Sequence, residues 1–133
     1  MTKIENRHHS AFKGELNKHF NLKKDSLFID LTLGDGGHTQ EALEAGCQVI
    51  SFDVDPQSIE RATYFLKELS APQVLSSDSA ATVLFQKSNW VIINSNFVNF
   101  HKEIKKHGIN SAQSILVDLG PSQNQVLSEE RGF

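Results

Sequence analysis

An apolar run that breaks into glycine carries the first cluster of residues able to do chemistry: Asp30 within Phe28-Ile29-Asp30-Leu31, then Gly34-Asp35-Gly36-Gly37-His38-Thr39. Glycines at 34, 36 and 37 let a ligand approach bare backbone, and a helix starting there presents N–H groups without helical partners. Such a turn suits a ligand with polar or anionic groups. Two more carboxylates close apolar runs of the same kind, Asp53 after Gln48 to Phe52 and Asp118 after Ser114 to Val117. Metal chemistry is not expected. Cys47 is the single cysteine, fit for a place in the core, and His8, His9, His19, His101 and His107 lack the helical spacing of metal ligands.

The elements that must position these residues follow from periodicity. Phe12, Leu16 and Phe20 recur as on one face of a short helix, and 21–26 reads as a polar connection. Strands are expected over 27–31, 48–52, 90–94 and 114–119. Helices are expected over 37–45, closed by Gly46, and from Asp55-Pro56 to about Ser70, with Asp55 as N-cap and proline at the first position. A third carries Phe97, Phe100 and Ile104 and ends at Gly108. The segment 70–89 reads as a loop with a short helix around 81–85. This alternation predicts an α/β fold, a Rossmann-like doubly wound parallel sheet whose ligands sit at the carboxyl ends of the strands.

At 133 residues the chain suits one domain, and a net charge of −3 gives no global basic character for nucleic acid. No run approaches the roughly 18 apolar residues needed to span a bilayer, and the N-terminus has no apolar signal core, so a cytoplasmic protein is expected. In the usual 3-2-1-4 strand order, the strand 114–119 would be an exposed edge, with the chain reaching Phe133 early for this architecture. That pattern reads as a fragment, a truncated relative, or an edge covered by a partner, including a homo-oligomer formed through the open strand.

Spacing separates the nucleotide-like ligands. A dinucleotide fingerprint starting at Gly34 needs a glycine at 39, where Thr39 stands. Asp30 ahead of the turn gives D-x-x-x-G-x-G, an order that resembles the first motif of S-adenosylmethionine-dependent methyltransferases. Asp53 is placed to accept hydrogen bonds from ribose hydroxyls in either ligand class.

Leu-Gly-Asp-Gly-Gly-His-Thr at 33–39, Phe-Asp-Val-Asp-Pro-Gln at 52–57 and Asp-Leu-Gly-Pro-Ser-Gln-Asn-Gln at 118–125, with Glu130-Arg131-Gly132-Phe133, resemble the MraW/RsmH family. These enzymes methylate N4 of a cytosine in small-subunit ribosomal RNA. The resemblance runs from about His8 to the last residue. It implies a class I methyltransferase fold truncated after the fourth strand, with S-adenosylmethionine as cofactor and small-subunit ribosomal RNA as partner. It also implies that residues 1–133 are a partial cofactor-binding domain, without the inserted helical RNA-contacting domain and the later strands.

By the same resemblance, Gly36, Gly37 and His38 hold the methionine part, Asp53 the ribose, and Phe97 flanks the adenine, while Asp118 and Gln125 complete the pocket. Asp30 and Gly34 belong to the same cofactor motif. Asp118 is the expected catalytic residue, because a carboxylate accepting an N–H of the cytosine amine helps localise its lone pair and receives the proton. The family's usual Ser-Ser-Pro-Gln reads Ser122-Gln123-Asn124-Gln125 here, and 70–89 looks longer than usual.

Plainer readings stand beside these. Asp30 could cap the glycine turn through backbone N–H groups, Asp55 could be only an N-cap, His38 at a helix start could be a surface residue, and Phe97 and Phe100 could both be core, Phe100 above all. Lys102, Lys105 and Lys106 suit a solvated helix face. The rival function is a non-catalytic interaction module that pairs through the open edge at 114–119.

Overall fold

The computed structural model describes residues 22–118 and the backbone of a strand at 124–128. In chain order the elements are β1 (Leu27–Asp30), α1 (Gly37–Glu44), β2 (Gln48–Asp53), α2 (Pro56–Phe65), β3 (Gln73–Ser76), β4 (Trp90–Asn94), a 3-10 turn (Phe97–Asn99) continuing into α3 (Phe100–Lys106), β5 (Ser114–Asp118) and β6 (Asn124–Ser128). The expected helix at Phe12 to Phe20 lies outside the described residues.

The six strands among the described residues form one sheet in the order β3-β4-β2-β1-β5-β6. Pairings are parallel except β5 with β6, which is antiparallel. The central four strands keep the expected 3-2-1-4 order, and they are the apolar runs because helices cover both of their faces. Alternate side chains supply two cores. Phe28, Val49, Trp90, Ile92 and Leu116 meet α1 and α2 through Ala42, Leu43, Ile59 and Leu66. Ile29, Ile50, Phe52, Val91, Ile93 and Ile115 meet Ile104 of α3 on the other face, with Phe97 and Phe100 packed at its margin. Cys47 is buried in the first of these cores.

Three expectations change. The strand at 114–118 is not an edge, since β6 pairs with it from Ser114↔Ser128 to Asp118↔Asn124. The open edge that homo-oligomer pairing and the interaction-module reading both required is therefore occupied by the chain itself. The segment 70–89 contributes β3, parallel to β4, and no helix forms at 81–85. Its loop is instead tied down by α3: Lys106 Nζ donates to the Ser77 carbonyl at 3.0 Å, and the Thr82 N–H donates to His107 Nδ1 at 3.0 Å. Burial, and then the neighbouring Lys106, push the His107 pKa below its ordinary value, which keeps the ring a neutral acceptor. The second helix ends at Phe65 rather than about Ser70, the chain continuing in turns.

The N-cap Asp55 is as expected, accepting the Gln57 N–H at 2.9 Å ahead of Pro56. Gly46 and Gly108 follow α1 and α3 with φ of 88° and 86°. Gly36, the N-cap of α1, has φ 89°, and a Cβ there would lie 3.3 Å from Leu66 Cδ1 and 3.4 Å from Ala62 Cβ. It therefore serves helix–helix contact as well as the turn. A Cβ at Gly108 would meet nothing within 4 Å. Gly108→Ala should cost about 1 kcal/mol of stability for the positive φ alone, and Gly36→Ala about 2–3 kcal/mol once α2 must give way. Urea unfolding of the two variants checks this; equal losses would remove the packing role of Gly36.

Candidate functional site

The turn after β1 is built on a carboxylate that water does not reach. Asp30 is 0% exposed. Its Oδ1 accepts the Thr32 N–H at 3.1 Å and its Oδ2 accepts the Thr39 hydroxyl at 2.7 Å. Thr39 Oγ1 also lies 2.7 Å from Ser51 Oγ, and Ser51 Oγ accepts Trp90 Nε1–H at 3.1 Å. Thr39 has one hydroxyl proton and it goes to Asp30, so Ser51 must be the donor to Thr39. Every donor in the chain Trp90, Ser51, Thr39 thus points toward the carboxylate, crossing from β4 through β2 to β1. Burial nevertheless dominates and pushes the Asp30 carboxyl from 3.8 up to about 6. The nearby His38 ring and the two hydrogen bonds pull it down, and Asp118 pushes it up.

The turn itself is cross-tied. The Gly34 N–H donates to Asp53 Oδ2 at 3.0 Å, and Asp53 Oδ1 accepts the Asp55 N–H at 2.9 Å. Asn94 at the end of β4 donates its amide to the Asp53 carbonyl at 2.9 Å. From α2, Arg61 Nε stands 3.8 Å from Asp35 Oδ1. The first turn of α1 has neither a side-chain cap nor an acidic residue, so the positive end of the helix is offered to whatever the turn holds.

On the other side of β1, Asp118 ends β5. Its N–H donates to Thr32 Oγ1 at 2.7 Å, and its Oδ2 lies 2.9 Å from His38 Nε2. A carboxylate only accepts, so Nε2 carries the proton of this bond. The His38 side chain is 4% exposed and that of Asp118 22%.

Of the residues singled out from sequence, Gly34, Gly36, Gly37, His38, Asp53 and Asp118 gather at the carboxyl edge of β2, β1 and β5. Asp30, at the end of β1, has no exposed surface, and its two oxygens accept hydrogen bonds from Thr32 and Thr39 of the turn. Phe97 stands in the 3-10 turn beyond β4, half-buried against the second core. Gln125 is placed by backbone alone, paired with Val117. Sequence reasoning passed over Thr32, Ser51, Trp90 and Asn94, whose roles arise only from the register of neighbouring strands. Thr39 carried a signal, since it stands where a dinucleotide site has glycine, and its hydroxyl is what Asp30 uses.

Because the native Asp30 carboxyl holds its proton more tightly than the unfolded chain does, its favourable contribution is full below about pH 4 and lost as pH rises through about 6. Asp30→Asn removes this dependence. Between pH 4 and pH 7 the stability difference should move by roughly 2 kcal/mol in favour of the variant. Urea unfolding at the two pH values measures it, and a constant difference would show that Asp30 titrates normally.

The model of the MraW methylase family matches residues 5–133. The chain is 35% identical over 132 residues to ribosomal RNA small subunit methyltransferase H of Mycoplasmopsis agalactiae, covering 98% of this chain and 38% of that protein. With the enzyme of the same name from Oceanobacillus iheyensis it shares 33% identity, over 95% of this chain and 34% of the other. It thus spans little more than a third of the length of these relatives. Among solved structures, an rRNA methylase from Streptococcus thermophilus superposes with a TM-score of 0.52 at 19% identity, over 74% of this chain and 48% of that one. A Streptococcus mutans protein solved in complex with SAH gives 0.52 at 23% identity, over 87% and 57%. The structural likenesses establish the fold, a Rossmann-like α/β sheet of the methyltransferase kind, and the family match along nearly the whole sequence establishes that the chain belongs to the MraW methylase family.

Proposed function

We propose that this chain binds S-adenosylmethionine at the carboxyl edge of β2, β1 and β5, as the cofactor-binding part of an enzyme that methylates N4 of a cytosine in small-subunit ribosomal RNA. The observation that carries the reading is the pair of partly exposed carboxylates, Asp53 and Asp118, on the strands flanking β1, with the uncapped start of α1 following the turn between them. That set suits the cofactor's three polar ends. A ribose diol wants a carboxylate, an amino acid's carboxylate wants a helix N-terminus, and its ammonium wants a second carboxylate.

In this reading Gly36, Gly37 and His38 bring the start of α1 to the methionine part, and Asp53 takes the ribose. Each Asp53 oxygen accepts one backbone N–H and has a second lone-pair site for a hydroxyl. Phe97 lies beside the adenine, and Asp118 and Gln125 close the pocket. Gly34 and Asp30 hold the turn in shape. The substrate follows from the relatives' name, ribosomal RNA small subunit methyltransferase H, and the cytosine N4 from the motif resemblance. RNA recognition falls to the part of those relatives that this chain does not span.

The cofactor supplies a methyl group on a sulfonium, open to in-line displacement by an amine. An amine that took this methyl group would become acidic, and the Asp118 carboxylate would accept its proton. The protein's larger contribution is orientation on strand ends tied into the sheet, with the target base unstacked to reach them.

Isothermal titration with S-adenosylhomocysteine should show binding, and Asp53→Ala should weaken it by about 10- to 100-fold. Folded wild-type chain giving neither heat nor a thermal shift with this product or with S-adenosylmethionine would overturn the proposal.

A further inference from the structure

We infer that the His38 imidazole is a positioning residue for Asp118, acting on the ligand through that carboxylate rather than by touching the cofactor itself. The inference rests on the cofactor reading above and assigns to the His38 side chain a task distinct from that of its backbone.

The geometry separates the two halves of the residue. The backbone of His38 lies in the first turn of α1, at the end of the helix offered to the turn. Its side chain is almost wholly buried and sends Nε2 to Asp118 Oδ2 at 2.9 Å, across eighty residues of sequence. The backbone of Asp118 is fixed independently, by the Thr32 hydroxyl on its N–H and by the ladder to β6. What those contacts leave unset is the rotation of the carboxylate about its own side-chain bonds. A donor on one oxygen sets it, and a buried ring with few rotamers sets it more firmly than a solvent-exposed group would.

Electrostatics gives His38 a second reason to stand there. Asp30 and Asp118 end neighbouring strands β1 and β5, and the charge of Asp118 acts unfavourably on Asp30. The His38 ring acts on Asp30 with the opposite sign while it bonds Asp118. One imidazole thus serves two carboxylates, supporting the turn through one and aiming the other.

A double-mutant cycle read in cofactor-product affinity tests this on the full chain. With S-adenosylhomocysteine in the calorimeter, His38→Ala should weaken binding by about 10-fold and Asp118→Ala by at least as much, with the double variant no weaker than Asp118→Ala alone. His38→Gln, whose amide can still donate to Oδ2, should recover most of the loss. A double variant whose loss is the product of the two single losses would overturn the inference, as would His38→Ala binding like the wild type, because a histidine that merely staples α1 to β5 lowers unfolding stability without moving the affinity of folded protein. If an alanine variant does not fold, His38→Phe and Asp118→Leu, which remove the donor and the acceptor without opening a cavity, complete the same cycle. Absence of binding by the wild type would overturn the cofactor reading and this inference together, whereas binding with independent losses overturns this inference alone.

Discussion

Burying the Asp30 carboxylate is the condition on which the rest of the site depends. A charge removed from water costs several kcal/mol unless donors replace the lost solvation. Here the replacements come from the turn that the carboxylate organises: the Thr32 N–H just beyond β1 and the Thr39 hydroxyl within the first turn of α1. Start and end of the glycine turn are therefore pinned to one side chain. Ser51 and Trp90 extend the network into β2 and β4, so the turn's shape is referred to the sheet. Solvent, which could rearrange around an exposed carboxylate, has no part in it.

The glycines acquire their meaning from the same constraint. Gly36 keeps α2 close, and Gly34 directs its N–H to Asp53 rather than outward. A turn anchored to β1 by Asp30, to β2 by Asp53 and to α2 by Gly36 has little freedom left to lose when a ligand arrives. Preorganisation of that kind saves ordering entropy on binding. It also explains why a flexible-looking Gly-Asp-Gly-Gly sequence can serve as a fixed surface.

Sequence made the centre of this fold legible because parallel strands buried on both faces must be mostly apolar runs, and Phe28-Ile29, Val49 to Phe52 with only Ser51 polar, Trp90 to Ile93 and Ile115 to Val117 are that. The margins were not legible for the converse reason. In β3, Gln73-Val74-Leu75-Ser76 is an edge strand of only four residues with Val74 half exposed, so neither its length nor its alternation separates it from a loop. β6 reads Asn-Gln-Val-Leu-Ser, a polar return strand that is a strand only because β5 offers it a ladder. The site shows the same division. Asp53 and Asp118 were visible as carboxylates ending strands, and His38 through its place beside the glycines. That His38 meets Asp118 depends on β5 inserting beside β1, a fact of topology with no local trace in the chain. Asp30 was visible too, but a sequence cannot tell a carboxylate that faces a ligand from one that faces the protein.

The antiparallel addition of β6 changes what Asp118 can be. On an exposed edge, the end of β5 would fray, and a carboxylate there would sample many orientations. Here β6 pairs with it on one side, Asp118↔Asn124 being the last pair of that ladder, and on the other side the Thr32 hydroxyl just beyond β1 accepts the Asp118 N–H. Side-chain rotation is a separate freedom, and the hydrogen bond from His38 Nε2 to Oδ2 acts on it. Precision at this edge of the sheet thus descends from strand pairing to a single hydrogen bond, and the residue that makes that bond is set in place by the turn that Asp30 supports from within.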